Sequence, residues 1–141
     1  MMKSTLLYLL AASLGLFVLA STASAHHSVG ASFDTSKPIV LKGVMEQAVW
    51  ANPHAHIFMD AKDSNGKMAN WEFELGGIKK LQSLGWKKDS IKMGDQVTIE
   101  GWQARNGSNR ANANTVTKAG GQKMTAGSSY NEHPKEKHTG N

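Results

Sequence analysis

The segment HAHIFMDAKDSNGKMANWEFEL, residues 54–75, decides the fold because it contains two strands and the turn between them. Residues 54–61 and 68–75 are rich in apolar side chains, and the DSNGK stretch that joins them is typical of a hairpin turn. The second strand alternates apolar with polar residues, which predicts one buried face and one wet face. The alternating residues are Ala69, Trp71, Phe73 and Leu75 on one face and Asn70, Glu72 and Glu74 on the other.

Further strands are predicted on both sides of this hairpin. PIVLKGVMEQAVW, residues 38–50, predicts a long first strand that bends or bulges at Gly43. Residues 93–105 and 111–118 predict a fourth and a fifth strand, and residues 122–127 predict a sixth.

A short helix is predicted between the third and fourth strands. Residues 76–86 place Ile78, Leu81 and Leu84 on one apolar side, and Gly85 suits a left-handed cap. The order of elements favours a mainly β fold, a small five- to six-stranded OB-like barrel with one short helix between strands 3 and 4.

The two ends of the chain differ in composition from this domain. Lys3 and the apolar run at residues 6–20, followed by small residues up to Ala25, are typical of a signal peptide over residues 1–25 that is cleaved on export to the periplasm. An uncleaved anchor is the alternative, but the run is short for a membrane span, so we expect no transmembrane segment after cleavage. Residues 26–127 then form one domain with an N-terminal arm, and residues 128–141 are predicted to be a disordered tail.

Composition narrows the chemistry of the domain. The chain has no cysteine, which excludes disulfides and thiolate metal sites. Its net charge of +5 is spread along the sequence without a dense basic block. Such a charge favours solubility and weak attraction to anionic surfaces.

Histidines are the candidate metal ligands. Cleavage after Ala25 would give His26 a free α-amine beside its own imidazole, a chelating pair that suits Cu(II), with His27 next to it. His54 and His56 are two residues apart on a predicted strand and therefore share a face, from which they could supply a further nitrogen. Copper is the predicted cofactor, and solvated histidines without a metal are the alternative.

Polar and aromatic residues around the same strands are the candidates for a small-ligand site. They are Trp50, Asn52, Glu72, Glu74 and Trp102. Each of them also has a purely structural interpretation. Asn52 with Pro53 is typical of a turn, the glutamates are typical of a solvent-facing strand surface, and the tryptophans are typical of a hydrophobic core. Methionines such as Met45, Met59 and Met68 could bind Cu(I), although strand methionines more often serve packing.

Several segments together resemble a known family. These are AHHS at residues 25–28, WANPHAHIFMDAKDSNGK at 50–67, NWEFELGG at 70–77, the stretch from Leu84 to Thr117, and AGSS at 126–129. They are similar to an uncharacterised family of small exported bacterial proteins, domain of unknown function 6152. The resemblance implies an exported, compact β-barrel and brings no established reaction with it.

Two classes of function follow. The first is an exported periplasmic small-ligand or metal-binding accessory module, and the second is a structural or protein-interaction barrel of the cell envelope without a metal site. In either class, the expected partner of the protein is an unknown envelope protein or a small ligand. Nucleic acid is not expected, because export and the absence of an interleaved basic and aromatic stripe disfavour it. An enzyme is not expected either, since no catalytic triad order, phosphate loop or H-E-x-x-H pattern occurs.

Overall fold

The computed structural model describes residues 29–128, which form six strands and two short helical segments. In chain order these are α1 (Val29–Ser32), β1 (Phe33–Val49), β2 (His56–Lys62), β3 (Met68–Glu74), α2 (Ile78–Ser83), β4 (Gln96–Ala104), β5 (Arg110–Lys118) and β6 (Lys123–Thr125). The predicted mainly β fold, with a short helix between strands 3 and 4, is confirmed. No helix within residues 29–128 is long and apolar enough to cross a bilayer.

The strands form one sheet that closes on itself. Their order is β3-β2-β1-β4-β5-β6, and an additional pairing joins β3 to β5. That closing pair is parallel and places Glu72 opposite Arg110, whereas the other pairs are antiparallel. Five strands therefore make a ring, and β6 pairs with the far end of β5 outside it. This ring agrees with the OB-like order that the sequence predicts.

The long strand β1 changes partner along its length. Its second half pairs with β2 from Gly43 to Val49, while residues from Pro38 to Val44 pair with β4. A side-chain Cβ at Gly43 would lie 2.2 Å from the carbonyl oxygen of Asp60, so a glycine is required where the two backbones approach. The predicted bulge does not fall on this glycine. The register shift lies between Met45 and Gln47, where Glu46 is the extra residue.

The interior of the ring is filled by the alternating residues of each strand. The largest fully buried side chains of the core include Phe73, Met45, Met59, Leu81, Ile99, Val97 and Val116. Helix α2 contributes Leu81 and ends before Gly85, whose φ of +87° fits the predicted left-handed cap. Trp86 then packs back into the core, and its indole nitrogen donates to the carbonyl oxygen of Thr125 at 2.8 Å. Leu84 is exposed, so only part of the predicted apolar side of the helix is buried.

The packed domain extends at least to Ser128, one residue past the predicted boundary. Ser128 is buried, and its hydroxyl donates to the side-chain oxygen of Asn112 on β5. The backbone just before it is also bound to the domain, because Gly76 N, just after β3, donates to Ala126 O. The predicted signal peptide, His26, His27 and residues 129–141 lie outside the described residues.

Candidate functional site

The outer face of the β2–β3 hairpin brings four of the predicted site residues together. The antiparallel register pairs His56 with Glu74 and Phe58 with Glu72. Because Ala55 and Ile57 are buried inside the ring, the alternate residues His54 and His56 face outward with the two glutamates. We call His54, His56, Glu72 and Glu74 the His–Glu face.

Each histidine of the His–Glu face contacts its own glutamate. The distance from His54 Nδ1 to Glu74 Oε1 is 2.8 Å, and the distance from His56 Nδ1 to Glu72 Oε1 is 3.0 Å. Both contacts run diagonally across the hairpin in the same direction, within the reach that long side chains have on neighbouring strands. Each imidazole therefore has its Nδ1 atom beside a carboxylate of the opposite strand.

The two pairs differ in their charge environment. Arg110, placed opposite Glu72 by the parallel β3–β5 pairing, donates from Nε to Glu72 Oε2 at 2.9 Å and from Nη2 to Oε1 at 3.5 Å. Glu72 thus lies between a guanidinium and the imidazole of His56. The His56 contact has the distance of an ion pair but not the alignment of a hydrogen bond, since its buried Nδ1 has no hydrogen-bond partner among residues 29–128.

The orientation of the rings determines what they can bind. A carboxylate next to Nδ1 favours the tautomer that carries its proton on Nδ1, which leaves the lone pair on Nε2. Histidines that bind metals commonly have their second nitrogen held by a carboxylate in this way. His54, just before β2, therefore presents the lone pair of its Nε2, whereas His56 has its Nδ1 beside Glu72 without a hydrogen bond that would fix its tautomer.

The chain matches the family described as "Family of unknown function (DUF6152)" over residues 14–114. The chain belongs to this family. No curated protein and no solved structure matches the chain. The matched range covers most of the ring and the whole β2–β3 hairpin. The description of the DUF6152 family gives no activity for the His–Glu face.

The described part of this DUF6152 domain contains no complete metal centre. Within residues 29–128, no three or more histidine, cysteine, aspartate and glutamate side chains are arranged to hold a metal ion. The soft ligands are placed elsewhere, because Met45 and Met59 are buried in the core and Met68 is exposed opposite Lys62. Any metal at the His–Glu face would need at least one further donor from outside these residues.

The other predicted ligand residues of the DUF6152 domain occupy three separate places. Trp50 is partly buried and shares a small apolar pocket with His56 and Trp86. Asn52 is exposed and lies beside the start of α2. Trp102 packs on Phe33 in a second, smaller apolar cluster. Only Trp50 therefore adjoins the His–Glu face.

Arg110 is the residue that the sequence analysis missed. It lies 38 positions after Glu72 in a loop-flanked, weakly apolar strand, and no local pattern links the two. The contact forms because β3 pairs in parallel with β5. To predict it from the sequence, one would have had to know that these two strands are neighbours and in which register they pair.

Proposed function

We propose that the protein is an exported, periplasmic metal-binding accessory module without catalytic activity, and that its metal is copper. The observation that carries this proposal is the paired contact of His54 with Glu74 and of His56 with Glu72. Two imidazoles beside carboxylates suit Cu(II), and the cysteine-free sequence offers no thiolate. The predicted signal peptide supports the location, and the absence of catalytic motifs supports a role in binding rather than turnover.

The N-terminal arm is the source of the further nitrogen donors. The carbonyl oxygen of Ser32 accepts from the backbone of Arg105 at 3.0 Å, next to the β4–β5 turn that leads into Arg110. Since neighbouring strands are about 4.8 Å apart and the route from β1 through β4 and β5 to β3 makes three steps, the Ser32 carbonyl lies roughly 14 Å from Glu72. The three residues before Val29 span about 10 Å when extended. The copper proposal therefore requires this arm to carry the amine and ring of His26 to the His–Glu face.

The test of this proposal compares two N termini. A protein that starts at His26 should bind one Cu(II) per chain, measured by calorimetry in competition with a chelator of known affinity. A version with one additional alanine in front of His26 should bind at least about tenfold more weakly, because the amine and imidazole no longer form one chelate. His133 and His138 are replaced by alanine in both versions, so that the tail does not contribute.

The strand ligands are tested in the same assay. His54→Ala and His56→Ala should each lower the Cu(II) affinity by about tenfold or more. Asp60→Asn, which changes a carboxylate on the same outer face that accepts from Asn70, is the matched control and should leave it unchanged. Copper binding that is indifferent to all of these changes would contradict the proposal and favour the interaction module instead.

A further inference from the structure

A cleft opens at the end of the ring where β1 separates from the β2–β3 hairpin. The pairing of β1 with β2 starts at Gly43, so residues 38–42 of β1 pair with β4 alone. The resulting space has a volume of about 500 Å³. Its lining includes Ile39, Leu41, Asn65, Trp71, Gln103 and Asn109. This size is in the usual range for small-molecule sites.

The cleft contains a polar group that lacks a partner. Trp71 is 4 % exposed and lines the cleft, and its buried indole N–H has no hydrogen-bond acceptor among residues 29–128. Trp86, by contrast, satisfies its indole N–H with Thr125. A buried N–H without an acceptor costs free energy, which a ligand carbonyl that reaches it from the cleft would recover.

The rim of the cleft carries no net charge, because Lys62 and Asp63 both line it, and it therefore favours a neutral, polar ligand. Three amide side chains line it, from Asn65, Gln103 and Asn109. Gln103 Nε2 already donates to the carbonyl oxygen of Ser108 at 3.3 Å, so this residue offers a ligand mainly its amide oxygen. The carboxylate of Asp63 is already used by the turn, where it accepts from the backbone of Asn65 at 2.8 Å and of Lys67 at 2.9 Å. Side-chain amides have both donor and acceptor atoms, and they therefore suit hydroxyl groups, which can also donate and accept hydrogen bonds.

An apolar wall completes the site. Ile39 and Leu41 are half-buried on β1, and Val40 between them is exposed. An added peptide strand is disfavoured along this edge, because Pro38 lacks a donor and Lys37 and Lys42 are of the type that protects open sheet edges. The cleft therefore fits a compact ligand rather than an extended chain.

We propose that this cleft binds a neutral sugar that carries an N-acetyl group. The acetamido carbonyl accepts from the indole N–H of Trp71, the methyl group contacts Ile39 and Leu41, and the hydroxyls meet the amides of the rim. This site is independent of copper and of the His–Glu face.

The test is a titration of the full chain with N,N′-diacetylchitobiose, followed by two-dimensional ¹H–¹⁵N NMR. Cellobiose, which has the same disaccharide skeleton with hydroxyls in place of the acetamido groups, is the control ligand. We expect saturable shifts at the indole N–H of Trp71 and at Ile39, Gln103 and Asn109, with the indole of Trp86 unmoved. Cellobiose should bind about tenfold more weakly, as expected for the loss of one hydrogen bond to a buried group.

Two variants test the assignment to the cleft. Trp71→Phe, which also identifies the indole signal, and Gln103→Ala on the rim should each weaken diacetylchitobiose binding, whereas Trp102→Phe in the separate apolar cluster should not. Gln103→Ala retains the core, so it remains informative if Trp71→Phe fails to fold. Absence of saturable shifts, equal binding of the two disaccharides, or unchanged affinity in Gln103→Ala would overturn the proposal.

Discussion

The inner and outer faces of the β2–β3 hairpin differ in what holds their side chains. On the inner face, Ile57 and Met59 of β2 pack with Trp71 and Phe73 of β3, and the rings of Trp71 and Phe73 stack with their centroids 6.3 Å apart. On the outer face, the histidines of the His–Glu face contact carboxylates and are partly open to water. The inner face therefore determines stability, while the outer face is free to serve binding.

The largest expected effect is the loss of a ring from the inner face. Phe73 is fully buried, so Phe73→Ala leaves a cavity and should lower the free energy of unfolding by about 3–5 kcal/mol, measured by chemical denaturation. Phe58→Ala removes the same ring from the outer face of the neighbouring strand and should cost about 1 kcal/mol. Equal losses in the two variants would refute the division of roles between the faces.

Sequence alternation was sufficient to predict this division, because a strand has a fixed period of two. Trp71, Phe73 and Leu75 are buried as expected, and Gly66 has the positive φ that the predicted hairpin turn requires. The bulge at Glu46 was not predictable, since it depends on how β1 passes from one partner strand to another.

The site was predictable to the same extent. Alternation places both histidines and both glutamates on one face, but it does not indicate which histidine meets which glutamate. The diagonal pairing follows from the register and twist of the hairpin, and the role of Arg110 follows from the parallel closure of the ring. The shared face of the hairpin was therefore accessible from the sequence, whereas the pairing of side chains on it and the contacts around the ring were not.

The next effect in size separates the two His–Glu pairs. If copper binds at Nε2, Glu74→Gln should weaken Cu(II) binding by about tenfold while leaving stability almost unchanged. Glu72→Gln should weaken it more, because it also leaves the Arg110 guanidinium without its counter-charge near the metal. The measurement is a chelator competition for each variant.

A second substitution isolates the contribution of the guanidinium. Adding Arg110→Gln to Glu72→Gln should restore part of the lost affinity, since it removes the uncompensated positive charge. Adding it to Glu74→Gln should bring no such recovery. Identical behaviour in both backgrounds would mean that the two pairs are equivalent despite their different neighbours.

The smallest effect concerns Asp34, an outer carboxylate held by its own strand rather than by a neighbouring one. The Ser36 hydroxyl donates to Asp34 Oδ1 at 2.6 Å, and this bond is the main cause that lowers the pKa of Asp34 below its ordinary value of 3.8. The Ser36 backbone N–H adds to the effect at 3.1 Å, with smaller contributions from Arg105 and Lys37.

The consequence for stability has a definite sign. Because the folded pKa is depressed, the carboxylate stabilises the protein fully above pH 3.8, and this contribution disappears as the pH falls through the folded value. In an NMR titration of the side-chain carboxyl carbon, Ser36→Ala should move the pKa of Asp34 back toward 3.8, and Lys37→Ala should move it less. A larger shift in the lysine variant would show that charge, rather than the local hydrogen bond, holds this carboxylate. Asp34 would then resemble Glu72 with its Arg110 partner, and the contrast between locally held and cross-strand carboxylates would fail.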